Sequence, residues 1–79
     1  MATVRFFAAA AQAAGTTHET VDAETLGALI TSVTTDRDDH FAAVLGRCSI
    51  LVDGLRTDDR STALGATSVV DVLPPFAGG

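Results

Sequence analysis

The residues whose type and spacing could do chemistry lie at one end of the chain, in Val70-Asp71-Val72-Leu73-Pro74-Pro75-Phe76-Ala77-Gly78-Gly79. Gly78 and Gly79 have no Cβ, so this end can enter a channel too narrow for any side chain, and it presents a terminal carboxylate. A Gly-Gly end arises by chance in roughly one chain in 200. The specificity comes from what precedes it: a strand pattern, two prolines and one aromatic. Neither Pro74 nor Pro75 has an N–H to extend a paired ladder, so they should lift the chain off the sheet in an extended form. The Gly79 carboxylate is the candidate reactive group.

The rest of the sequence supplies no competing chemistry. His18 and His40 stand in polar stretches without ligand spacing, and both read as exposed. Cys48 has no histidine at readable spacing and reads as a small buried hydrophobe. The sequence contains no phosphate loop, nucleophile elbow or metal motif. The pairs Asp38-Asp39 and Asp58-Asp59 read as solvated or helix-dipole charges. No bound cofactor or metal is expected. If the chain takes part in a reaction, it does so as substrate or carrier.

The elements that must position this end form one small domain of 79 residues. A core of that size rarely contributes more than about 3–5 kcal/mol, and a lone cysteine allows no internal disulfide. The 47% hydrophobic and 19% charged content is that of a globular chain. A net charge of −5, with five scattered arginines and no lysine, argues against nucleic acid and anionic membrane surfaces and permits a partner with a basic docking surface. No apolar run reaches a membrane span, and no secretory signal is visible, so the cytoplasm is the default compartment.

Thr3 to Phe7 reads as a strand with Val4 and Phe6 inward and Thr3 and Arg5 outward. Phe7 breaks the alternation on the outer side; it is either a strand-end aromatic tucked under the next loop or part of a surface patch. Ala8 to Ala14 followed by Gly15 predicts a short helix, and Thr16 to Val21 a second strand. Leu26, Leu29, Ile30 and Val33 recur at helical spacing, predicting the main helix over Thr25 to Thr35, with acidic residues favouring its start. Asp36 to His40 reads as loop, and Phe41, Val44 and Leu45 as a short helix closing at Gly46. Ser49 to Val52, Asp53-Gly54 and Leu55 to Thr57 predict a hairpin. Asp58 to Thr67 reads as polar loop, with a single turn at Ala63 to Gly65 placing Leu64 on the core. Ser68 to Leu73 is the last strand, with Val70 and Val72 inward and Asp71 and Leu73 outward. The first and last strands are the most apolar and should pair in parallel at the centre. The expected fold is α+β: a β-grasp, or ubiquitin-like, mixed sheet of four or five strands on one main helix. Residues 1–73 form the domain and 74–79 the tail.

Val4-Arg5-Phe6-Phe7-Ala8, the alanine-rich turn to Gly15, the helix at Leu26-Leu29-Ile30 and the end Leu73-Pro74-Pro75-Phe76-Ala77-Gly78-Gly79 together resemble the small, sulfur-carrying subunit of molybdopterin synthase. That family belongs to the ubiquitin-like sulfur carriers, with the thiazole-pathway carrier as a cousin. The chain departs from it at Ala66-Thr67-Ser68, where many members have Gly-Asp-Glu, and at Phe76, where valine is common. The resemblance implies that an ATP-dependent adenylyltransferase, related to ubiquitin-activating enzymes, adenylates Gly79. A sulfur donor such as a rhodanese or cysteine desulfurase then leaves a thiocarboxylate. The large catalytic subunit, in a heterotetramer, takes in Pro75, Phe76, Ala77 and Gly78 and passes sulfur to the cyclic pterin precursor. ATP serves the activating partner, and this chain holds no stable cofactor. The family grips partners with an apolar sheet patch that Phe7 and Leu73 match by position. Three readings stay open: a sulfur carrier for molybdopterin or for another pathway (thiamine, cysteine or a thio-metabolite), a ubiquitin-like modifier conjugated through Gly79, and a plain interaction domain.

Overall fold

Alternating apolar residues decide the centre of the sheet. The computed structural model describes residues 1–35 and 37–75. Eight elements follow one another: β1 (Ala2–Phe6), α1 (Ala9–Ala14), β2 (His18–Val21), α2 (Leu26–Thr35), α3 (Asp39–Arg47), β3 (Ser49–Val52), β4 (Leu55–Arg56) and β5 (Val69–Leu73). The five strands form one mixed sheet in the order β2-β1-β5-β3-β4. β1 and β5 lie parallel at its centre, with Val4 opposite Val70 and Phe6 opposite Val72, as the two most apolar strands predict. The other pairings are antiparallel. The architecture is the expected α+β β-grasp, with five strands. No described helix is long and apolar enough to cross a membrane.

One face of the sheet carries the core. Val4, Phe6, Val52, Val70 and Val72 meet Leu26, Leu29 and Val33 of α2 and Phe41 and Leu45 of α3, all buried. Phe6 and Phe41 pack edge to face, with ring centroids 5.9 Å apart. Arg37 closes one end of this core. Its guanidinium lies 5.5 Å from the Phe6 ring and 5.0 Å from the Phe41 ring. It donates to the carbonyls of Val33 (2.7 Å) and Ala14 (3.3 Å) and to Glu19 Oε1 (2.7 Å).

The helices differ from expectation at their ends. α2 starts at Leu26, with no acidic residue in its first turn. Thr25 Oγ1 accepts from the Ala28 N–H instead (3.2 Å). The Leu26 and Gly27 N–H groups donate to Thr62 O and Arg60 O, both at 2.9 Å. A Cβ on Gly27 would lie 3.2 Å from Arg60 Cβ and O, so a side chain here would push the loop back by a few tenths of an ångström. That loop holds no turn at Ala63 to Gly65; Ala63 bridges Thr25, which still leaves Leu64 against the core. α3 begins at Asp39 and passes through Gly46 to Arg47, so neither the expected loop at Asp39-His40 nor the stop at Gly46 occurs. Asp38 caps it, accepting from the Phe41 N–H (2.9 Å), while Asp39 and Arg47 complement its dipole. Asp36 lies outside the described residues.

The remaining boundaries shift by a residue or two. β2 starts at His18, not Thr16. Asp53 (φ 49°) and Gly54 (φ 86°) make the expected tight hairpin turn, both with the positive φ that such a turn requires. Asp53 also ties the hairpin to β5, since Oδ1 accepts from the Val69 N–H at 2.8 Å. Thr57 falls outside β4, although its N–H still reaches Ile50 O (3.0 Å).

Candidate functional site: the uncovered sheet face and the root of the tail

Because side chains alternate along a strand, burying Val70 and Val72 turns Asp71 and Leu73 to the other face. The register carries this across all five strands. His18, Arg5, Asp71, Leu51 and Arg56 stand opposite one another in a single row, one from each strand. The helices contribute to the core on the opposite face. Two residues toward the end where the tail leaves, Leu73 faces Ser49. Phe7 follows the Phe6–Val72 pair on the neighbouring strand, its N–H donating to Val72 O (3.2 Å). The two residues expected to form a patch therefore occupy neighbouring positions, Leu73 at the end of β5 and Phe7 just past the end of β1. Phe7 is 37% exposed, and Leu73 is half-buried.

The centre of this face is an ion pair. Arg5 Nε and Nη2 donate to the two Asp71 oxygens at 2.5 and 2.8 Å, a bidentate fork. Asp71 is left 8% exposed although no helix covers it. The Asp71 hydrogen bonds, and then its charge, push the Arg5 guanidinium further above its ordinary range. The Arg5 guanidinium carbon also lies 5.7 Å from the Phe7 ring centroid. The pair lies in the row next to the patch, its members two positions before Phe7 and before Leu73. Beside Phe7 a hollow of about 510 Å³ opens, mostly apolar and lined by Ala8, Ala11, Thr17 and His18 among others.

Immediately after Phe7 the chain reverses. Ala8 adopts φ 50°, ψ −124°, a region that disfavours a Cβ, and this sharp turn leads into α1. At the other strand end the ladder stops at Leu73, as the prolines require. Pro74 is still buried and Pro75 is exposed, so the chain leaves the surface one residue later than expected. Phe76, Ala77, Gly78 and Gly79, the remaining candidate site residues, lie outside the described residues.

The other side chains weighed in the sequence form no second candidate site among the described residues. His18 and His40 are exposed. Cys48 is half-buried, not fully buried; its Sγ donates to Val44 O (3.2 Å), and burial pushes the thiol up, away from the reactive thiolate. It lines an open groove of about 780 Å³ between α2, α3 and β3. Asp59 organises its loop through hydrogen bonds from Ser61 Oγ (2.6 Å) and N–H (2.9 Å), which hold its carboxyl below the usual range. Among the described residues no group of three or more His, Cys, Asp or Glu could hold a metal ion.

Sequence reasoning missed the Arg5–Asp71 pair and the Arg37 stack. The first was within reach: two opposite charges on the outward side of strands expected to pair in parallel. The second was not, because Arg37 meets Glu19 and two aromatic rings only once the chain is folded.

Comparison with known proteins adds to this geometry. The sequence matches the model of the ThiS family over residues 4–79. No curated protein matches it. Solved structures do. One is the complex of subunits 1 and 2 of molybdopterin-converting factor from Helicobacter pylori, with TM-score 0.76, 26% identity, and coverage of 99% of this chain and 97% of that one. A second is the small archaeal modifier protein 1 (SAMP1) from Methanosarcina acetivorans, with TM-score 0.83, 23% identity, and coverage of 99% and 95%. A third is CysO from Mycobacterium tuberculosis, with TM-score 0.77, 17% identity, and coverage of 94% and 98%. The last two speak to the fold alone. The family match runs from within β1 through β5 to residue 79, and the chain accordingly belongs to the ThiS family of ubiquitin-like sulfur carriers.

Proposed function

We propose that this carrier works through a thiocarboxylate at Gly79 and delivers sulfur as the small subunit of a molybdopterin synthase. The observation that carries the reading is the reach of the family match to residue 79, across the Pro-Pro-x-x-Gly-Gly end. A likeness at 26% identity to a molybdopterin-converting factor complex favours this pathway over thiamine, cysteine or thio-metabolite synthesis.

The chemistry divides between partners. A Gly79 carboxylate oxygen attacks the α-phosphorus of ATP on an adenylyltransferase, and pyrophosphate leaves. A sulfide-level sulfur then attacks the carbonyl carbon. The C–O bond to AMP breaks as the C–S bond forms. With a persulfide donor, such as a rhodanese or cysteine desulfurase, a thiol supplies the two electrons that release the sulfur. In the large subunit the thiocarboxylate sulfur attacks an electrophilic carbon of the pterin precursor, the C–O bond there breaks and the oxygen leaves with its substituent, and water cleaves the resulting thioester. Sulfur stays on the acceptor, and Gly79 returns to carboxylate. The chain supplies position for these steps. Four residues beyond Pro75 span at most about 14 Å, and a tethered nucleophile acts at high effective concentration. Phe7 and Leu73 are the docking residues, residues 75–78 thread the partner site, and the carrier shares the cytoplasm with its partners.

Intact mass after incubation with ATP, the adenylyltransferase and a sulfur source tests the reading. Exchange of one terminal oxygen for sulfur, lost on incubation with the large subunit and pterin precursor, is the expected result. An adduct to another protein, or unchanged mass with full function after Gly79 is deleted, would overturn it.

A further inference from the structure

The outer sheet face has a charge character that the composition hides. The chain carries −5 overall, yet the row across this face holds Arg5 and Arg56 against Asp71 alone. Asp71 is already used, since both of its oxygens accept from Arg5 and little of it reaches solvent. Arg5 is not used up. A guanidinium has five N–H donors, and the fork to Asp71 occupies Nε and one Nη2 hydrogen. The Arg5 side chain is 52% exposed, against 12% for Asp71. Arg56 is exposed and, among the described residues, makes no ion pair. Phe7 and the half-buried Leu51 and Leu73 surround these donors with apolar surface.

We infer that this face recognises an acidic protein surface: a partner carboxylate seats against the free edge of the Arg5 guanidinium, inside a collar formed by Phe7, Leu73 and Leu51. Arg5 then lies between two carboxylates, one from its own β5 and one from the partner, and Arg56 adds a second, peripheral attraction. The inference rests on the reading that this face docks partners, and it specifies their chemistry. It also runs against the partner with a basic docking surface that the net charge of −5 permits. A bidentate fork already held by Asp71 is pre-aimed, so little side-chain entropy is lost when the second carboxylate arrives.

The test measures affinity of the purified adenylyltransferase and large subunit of the same cell for four forms: wild type, R5M/D71L, R56E and F7A. The double variant removes both charges at once, leaves no unpaired carboxylate and keeps the apolar stems; circular dichroism and thermal unfolding check its fold. The expected result is roughly tenfold weaker binding of R5M/D71L to at least one partner. Its salt dependence should be flatter than wild type, and R56E should show a smaller loss, chiefly in association rate. Wild-type affinity and salt dependence in R5M/D71L, with F7A weakened, would overturn the acidic-partner inference and leave the docking face standing. Wild-type affinity in F7A as well would sink the docking face itself. Dimerisation of the wild-type chain in sedimentation, abolished by F7A, would assign the face to a second copy and also overturn the inference.

Discussion

Val72 and Asp71 are neighbours on one strand, and both are almost removed from water, by opposite means. Val72 is 1% exposed because the apolar residues of α2 and α3 cover its face. Asp71 is 8% exposed because one arginine lies on it, on a face no helix covers. The first kind of burial depends on volume and fit, over many partners at once. The second depends on a single charged pair that can gain a further partner without unfolding anything. The proposed docking is placed on the second face for that reason. A surface held by apolar packing cannot be opened cheaply, whereas a half-exposed guanidinium can take another carboxylate.

Matched truncations on the two faces should separate them most widely. Phe41→Ala removes a fully buried ring that packs on Phe6. It should cost about 3–5 kcal/mol, comparable to the whole stability of a domain this size, so the variant should be largely unfolded by circular dichroism at 25 °C. Phe7→Ala, on the other face, should cost under about 1 kcal/mol and keep a native spectrum. If the two variants unfold alike, the division of labour between the faces fails.

Arg37 offers a sharper comparison, because it is a charged residue on the packed face. Arg37→Met keeps much of the contact with Phe6 and Phe41 but strips donors from Val33 O, Ala14 O and Glu19. A loss of about 2 kcal/mol should appear in the urea midpoint. The Arg5–Asp71 pair should respond differently. Arg5→Met alone leaves a shielded carboxylate and lowers the midpoint, by less than the Arg37 change. Adding Asp71→Leu should restore most of it, since a well-packed apolar pair can replace an ion pair. A double variant no better than Arg5→Met would mean the pair supports the sheet in its own right.

The same contrast explains how far the sequence could be read. The packed face announces itself through period: Val4 and Phe6, Val70 and Val72, and the stripe from Leu26 to Val33 are each repeated signals, and all but the half-buried Ile30 are buried as that period implies. The parallel centre followed from the apolar character of the first and last strands. What stayed hidden depends on single side chains meeting across long sequence separations, as Arg5 meets Asp71 and Arg37 meets Glu19. Net charge even misdirects, since ten acidic residues spread over the chain conceal one face where arginine prevails. Helix ends were misjudged for a related reason. The N–H groups at the start of α2 are satisfied by carbonyls of the 60–62 loop, which no local pattern reports, and α3 runs past Gly46 because exposed helix tolerates glycine at a modest cost.

The smallest expected effect lies at the seam between the faces. Ala8 follows the exposed Phe7, precedes α1, and holds φ 50°, ψ −124° with a Cβ in place. That strain costs on the order of 1 kcal/mol, and glycine would relieve it while adding freedom to the unfolded chain. Ala8→Gly should therefore raise stability slightly, by about 0.5 kcal/mol or less, read as a small upward shift in Tm. The informative quantity is what happens to partner affinity in the same variant. If the strained turn serves only to start α1, affinity is unchanged. If it fixes the angle at which the Phe7 ring stands beside Arg5, relaxing it loosens the patch, and Ala8→Gly should bind more weakly while being the more stable protein. Higher Tm together with unaltered affinity would show that the docking face depends on its side chains alone and not on the backbone that presents them.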